Sequence, residues 1–175
     1  MQDPTATTPS VIAASDEAGT PPAAAPTTES PPPSAKYVTH ELTFYGWPDN
    51  SPPGAGIALP QIHTKAGGVG TYADPITFAT DPRELPAGTR LYIPMIQKYA
   101  IMEDTCAACI ADWSSGKRHV DVWMNSDSTN SENLRSCQHS WTRPAAEIEI
   151  NPPPGRPVTT GPLFETSAGA CRTTP

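Results

Sequence analysis

The sequence predicts an all-β fold, and three observations carry that reading. Short runs of β-branched and aromatic residues recur along the chain, Gly and Pro turns separate them, and no window keeps a 3.6-residue apolar period over ten residues. At 175 residues the chain holds one domain with some length besides.

Taken in order, residues 1–36 are almost wholly Pro, Thr, Ser and Ala. Such a segment cannot bury enough apolar area to offset its ordering entropy, so an extended, disordered tail is expected there. It suits O-glycosylation or a solvated linker equally well. The folded domain is expected over residues 37–175. Val38–Tyr45 alternates β-branched and aromatic residues and reads as a strand, stopped by Gly46 and the turn Trp47–Pro48–Asp49–Asn50. Residues 51–70 are rich in Gly and Pro and read as loop. Ile76–Ala79 is a short strand, and Leu85–Pro86–Ala87–Gly88 turns the chain into a strand over Arg90–Ile93. Lys98–Met102, His119–Met124 and Glu147–Ile150 supply three more, and a helical turn is expected around Ser131–Cys137. Beyond residue 150, NPPPGRPVTTGPLF lacks the donors of a central strand and reads as a strap over the barrel, anchored by Leu163, Phe164 and Cys171.

Composition narrows the function classes. The net charge of -7 disfavours nucleic acid and anionic lipid as partners, because both require basic surface. No run of 18 apolar residues exists for a transmembrane helix. The start MQDPTATTPS reads as a mature N-terminus with an added Met. Of the four cysteines, Cys106 and Cys109 form a Cys-x-x-Cys pair, whereas Cys137 and Cys171 are isolated. A zinc site would need a second close ligand pair, and a redox pair would need a βαβ unit, so two structural disulfides are favoured over both. Closing Cys106 onto Cys109 implies strain, and each is expected to bond a distant partner. Secretion follows from that reading.

The stretch 81–124 concentrates the chemistry. ATDPRELPAGTRLYIP, then YAIMEDT, then HVDVWMNSD resembles the three-aspartate domain of bacterial cell-wall enzymes. LPAGTRLYI is also similar to rare lipoprotein A. Thr43–Phe44–Tyr45–Gly46 with Asp49 resembles the opening strand of expansins. The spacing from Asp104–Thr105–Cys106 to His119–Val120–Asp121 is similar to expansins and small inverting endoglucanases. These resemblances cover about residues 40–125. They imply a six-stranded double-psi β-barrel and a polysaccharide ligand. The expansins' second domain has no counterpart, and HVDVW stands where HFDLS is usual.

Within that resemblance the catalytic acid falls on Asp121. Its neighbours Val120, Val122 and Trp123 suit a carboxyl with a raised pKa, as a general acid needs, although a strand-end Asp also caps loops. Asp104 is its expected partner, either as base or as orienting group. Asp81 lies in a Thr–Asp–Pro turn and is assigned a structural role. Tyr45, Trp47, Asp49, Trp113 and His119 are the expected substrate contacts, with Trp47 and Trp113 presented from loops to stack on a sugar ring. Trp123 and Trp141 suit the core as well. The histidines are scattered, and no metal or cofactor is expected. The sum is a secreted, monomeric glycoside hydrolase cleaving a cell-wall polysaccharide, muramidase-like action on peptidoglycan being favoured. A non-hydrolytic expansin-like binder and a secreted inhibitor or effector are the rivals.

Overall fold

The computed structural model describes residues 36–175. The expected disordered tail therefore lies outside the described residues, save that Lys36 already belongs to the first strand. That strand, β1 (Lys36–Tyr45), alternates as its sequence demands: His40, Leu42 and Phe44 are buried, while Glu41 and Thr43 are half-exposed. β2 (Ile76–Thr80), β3 (Arg90–Ile93), β4 (Lys98–Thr105), β5 (His119–Trp123) and β6 (Arg143–Ile150) join it in a closed barrel ordered β1-β5-β2-β4-β3-β6. Closure leaves no free edge within this barrel. Two pairings are parallel, β1 with β5 and β2 with β4, and they interleave with antiparallel ones.

The barrel interior is filled from alternate positions. Leu42, Phe78, Leu91, Met102, Val120, Val122 and Ile148 have no exposed surface and form its centre. Each such side chain contributes about 1.5–3 kcal/mol through burial.

Several expectations need correction. An α-helix, α1 (Ala107–Ser114), occupies what reads as loop, too short for a ten-residue periodic signal. Its start explains the disulfides: Cys106 caps the helix and Cys109 sits in its first turn, which brings their Cα atoms to 5.1 Å, and the two are bonded to each other. That separation is ordinary for a disulfide, so distant partners are not needed. Cys137 bonds Cys171. The second helix, α2 (Ser131–Trp141), runs well past the expected single turn. β6 begins at Arg143 rather than Glu147. Its pairing with β1 slips between His40 and Leu42, and the bulge accommodates Pro144.

The proline-rich segment after β6 is tied down by side chains of β3 and β4. Tyr92 Oη donates to the Pro157 carbonyl and Tyr99 Oη to that of Pro153, each at 2.8 Å. Such bonds suit prolines, which offer acceptors but no N–H. Leu163 and Phe164 are buried, and a two-stranded hairpin, β7 (Phe164–Glu165) with β8 (Ala170–Cys171), ends at the second disulfide.

Candidate active site

Asp121 projects outward from β5 between Val120 and Val122, which point into the barrel. Register aligns it with Thr43 on β1 and with Ala79 on β2, and Ala79 in turn aligns with Asp104 on β4. Asp121 and Asp104 thus stand two strand spacings apart, with backbones separated by roughly 9–10 Å. Thr43 Oγ1 donates to Asp121 Oδ1 at 2.7 Å. Burial pushes the Asp121 carboxyl up to about 6; the Thr43 hydrogen bond and His119 oppose that rise, and the charges of Asp49 and Asp104 add to it. A carboxyl poised there is protonated in a useful fraction near neutral pH.

Behind Asp121 stands a hydrogen-bonded row. His119 Nε2 lies 2.8 Å from Thr43 Oγ1, and its Nδ1 lies 2.8 Å from Asp112 Oδ2 on α1. Thr43 spends its one proton on Asp121 Oδ1, which leaves the other carboxyl oxygen to carry the acid proton. Lys117 pairs with Glu41 and, at 3.2 Å, with Asp112, which fixes the far end of the row.

Asp104 is held differently. Its Oδ1 accepts from Ala58 N at 3.0 Å and Thr105 N at 2.9 Å, and its Oδ2 accepts from Tyr45 Oη at 3.0 Å. Burial, then the Asp104 carboxylate, raises the Tyr45 phenol far above its ordinary value and keeps it a donor. The pairing of β2 with β4 skips Glu103, and this bulge lets two successive acids reach one loop: Asp104 takes Ala58 N, and Glu103 takes the amides of Gln61, Ile62 and His63. Asp104 also lines an open cleft of about 750 Å³ with Asn50, Ser51, Pro52, Gly56 and Ile57.

The remaining expected residues divide. Asp49 caps the turn after β1, accepting from Gly46 N at 2.8 Å and Gln138 Nε2 at 2.7 Å, yet its charge is felt at Asp121. Trp47 packs half-buried on the core. Trp113 lies on α1, not in a loop, with the Arg118 guanidinium 5.5 Å from its ring centre. Trp123 and Trp141 are buried. Asp81 is buried, accepts from Arg83 N at 2.8 Å and pairs with its guanidinium, closing a turn. Thr43, Asp112, Glu41 and Glu103 were not foreseen. Only Thr43 left a signal, sharing the strand face of Tyr45 two residues on.

Glu41, Asp112 and His119 bring potential ligand atoms within 4.8 Å of one another. The Lys117 ammonium already sits against both carboxylates, so a metal ion there would have to displace it.

Comparison with known proteins is consistent over the described domain. A family model described as the DDB_G0273701 N-terminal domain matches residues 37–172. A relative from Dictyostelium discoideum, described as uncharacterized protein DDB_G0273701/DDB_G0273221, is 43% identical over 141 residues. The match covers 80% of this chain and 62% of that protein, so the chain spans less than two thirds of its relative's length.

Proposed function

We propose that this chain, which belongs to the DDB_G0273701 N-terminal domain family, is a secreted glycoside hydrolase that cleaves a cell-wall polysaccharide, with peptidoglycan the favoured substrate. The observation that carries the reading is Asp121: a recessed carboxyl raised to about 6, hydrogen-bonded to Thr43 and backed by His119, on a row that also holds Asp104. Asp121 gives its proton to the glycosidic oxygen as that bond breaks. Water then restores the proton to Asp121, while Thr43 holds the carboxyl in place. Asp104, fixed by Tyr45, either activates water or steadies the developing positive charge on the sugar. The closed barrel, with parallel and antiparallel pairings interleaved, is compatible with a double-psi barrel. Two disulfides fit an oxidising compartment.

One observation favours the expansin-like alternative. Both oxygens of Asp104 are engaged by protein donors, which leaves Asp121 as the carboxyl free to react. Clearing of killed bacteria with release of reducing sugar, lost in Asp121→Asn, is the expected result. Retention on chitin or cellulose without any product would select the non-hydrolytic reading instead.

A further inference from the structure

The Cys106–Cys109 bond takes no part in the chemistry at Asp121, and its setting differs from that of the second disulfide. It lies where β4 ends and α1 begins: Cys106 is the N-cap, and the Cys109 N–H donates to Cys106 Sγ at 3.0 Å. β2 runs parallel to β4 and antiparallel to β5, so β4, α1 and β5 are not a parallel βαβ unit. The strand–helix junction at which redox pairs sit is nevertheless present. Cys106 is half-exposed between the exposed Thr105 and Ala107, whereas Cys109 is fully buried. A ring nitrogen of His119 lies within 4.8 Å of both sulfurs. The sulfurs of the second disulfide face acceptors instead. Cys137 Sγ lies 3.5 Å from the Leu163 carbonyl and Cys171 Sγ 3.3 Å from that of Arg172. Those oxygens oppose a thiolate, and a helix N-terminus with a histidine favours one. The two bonds also differ in what they restrain. Their partners stand 34 positions apart in Cys137–Cys171 and three in Cys106–Cys109, so the shorter loop constrains the unfolded chain far less. As a staple the short loop does little.

We propose that Cys106–Cys109 is a redox site that exchanges with a thiol, free or on a peptide, with Cys106 the sulfur attacked and Cys109 the resolving one. A thiolate attacks Cys106 Sγ, the Cys106–Cys109 bond breaks, and its electron pair leaves on Cys109 Sγ, which takes up a proton. A second thiolate attacks the foreign sulfur of the mixed disulfide and departs with it as a disulfide. Cys106 is released as a thiolate towards which the Cys109 N–H already points. Two thiols are thereby oxidised to one disulfide, and the protein gains two electrons and two protons. The reverse sequence oxidises the pair at the expense of a foreign disulfide. Exposure selects Cys106 for attack, since the buried Cys109 offers no approach. His119, when protonated, sets a positive charge beside both sulfurs. The acids of the surrounding elements, Glu41 on β1, Asp104 on β4, Asp112 on α1 and Asp121 on β5, oppose a thiolate. Lys117 pairs with two of them, and backbone amides and Tyr45 occupy Asp104. The site requires nothing of the glycan-cleaving reading.

The test incubates the oxidised full chain with reduced glutathione and, in parallel, with a reduced single-cysteine peptide. Free thiols are alkylated at intervals and located by peptide mass. Cys106–Cys109 should open at least about tenfold faster than Cys137–Cys171, because access and thiolate stability both govern exchange. Faster opening with either thiol supports the site, and the quicker of the two names its partner class. In Cys109→Ser the mixed disulfide should collect on Cys106, while in Cys106→Ser the buried Cys109 should stay free. In the reduced protein the pH midpoint of Cys106 alkylation should lie below the ordinary thiol value of about 8.5. It should rise in His119→Gln, a change that a purely structural histidine would not produce. Opening of both disulfides at one rate, or of Cys137–Cys171 first, would overturn the site, as would a Cys106 midpoint at or above the ordinary value. Equal capture of glutathione by Cys109 in Cys106→Ser would overturn the assignment of the attacked sulfur, and an unmoved midpoint in His119→Gln the part given to His119.

Discussion

Two histidines on the barrel are each set between two acids, and the outcomes are opposite. His63 touches both of its acids directly, Glu103 at 2.6 Å and Asp74 at 2.9 Å. His119 touches Asp112 directly but reaches Asp121 only through Thr43. Glu103 is fully buried, and burial works to raise its pKa. Hydrogen bonds from the His63 amide and ring, the Ile62 amide and Thr77 outweigh that effect and hold it below the usual carboxylate range. Burial pushes Asp121 upward as well, but it accepts one protein hydrogen bond and is raised to about 6. Burial alone does not decide the charge of a carboxyl; the number of donors aimed at it does. Glu103 is built to stay ionised and pin the 58–63 loop, and Asp121 is built to change state.

The sharpest way to break this contrast is to remove the two acids in turn. Asp121→Asn should lower glycan cleavage about 10²–10⁴-fold, the usual share of general acid catalysis. It should also stabilise the fold at pH 7 by up to about 3 kcal/mol, because an ionised Asp121 is disfavoured there relative to the unfolded chain. Turbidity clearing and urea denaturation measure the two halves of that expectation, and a destabilised Asp121→Asn would show the row to be structural. Glu103→Ala should do the reverse, costing about 3–5 kcal/mol in the same denaturation experiment by stranding His63 and the amides of Gln61 and Ile62.

Thr43→Val tests the link between Asp121 and His119. It deletes the hydrogen bond that lowers the Asp121 pKa, so the basic limb of the pH–activity profile should move upward. It also frees the carboxyl to turn away from the glycosidic oxygen, so turnover should fall about tenfold or more even at the new optimum. A profile that stays in place would mean that the Thr43 hydrogen bond does not set the Asp121 pKa.

Much of this contrast was out of reach of a linear reading, for identifiable reasons. The strand cores were legible because Leu42–Phe44, Ile76–Phe78 and Val120–Val122 alternate in a period a barrel imposes. Asp121 was legible for the same cause, standing between two valines. Glu103 was not, since its role comes from a bulge that only the pairing of β2 with β4 reveals. Asp112 and the Cys106–Cys109 bond both depend on α1, whose eight residues are too few to show a helical period. The proline-rich end of the chain gave up its lack of ladder donors, but not the tyrosines that would hold it.

The smallest expected effect separates the two histidines by pH. Burial acts to lower the His63 pKa, but the hydrogen bonds and charges of Asp74 and Glu103 outweigh it and raise it above 6.5. A raised folded value means that the native state binds the proton more tightly than the unfolded chain does. The stabilisation is therefore complete below pH 6.5 and is lost as pH rises through the folded pKa. With the His63 side chain 17% exposed and Asp74 more so, solvent screening limits the loss to about 1 kcal/mol or less. Asp121 moves stability in the same direction but in a lower window, between its unfolded value of 3.8 and about 6. Denaturation midpoints taken from pH 5 to 8.5, above the range in which Glu103 and the other lowered carboxylates add a rising slope, should thus show two descending steps. Asp121→Asn should erase the lower step alone and His63→Gln the upper step alone; a single variant that erased both would mean that the two clusters titrate as one.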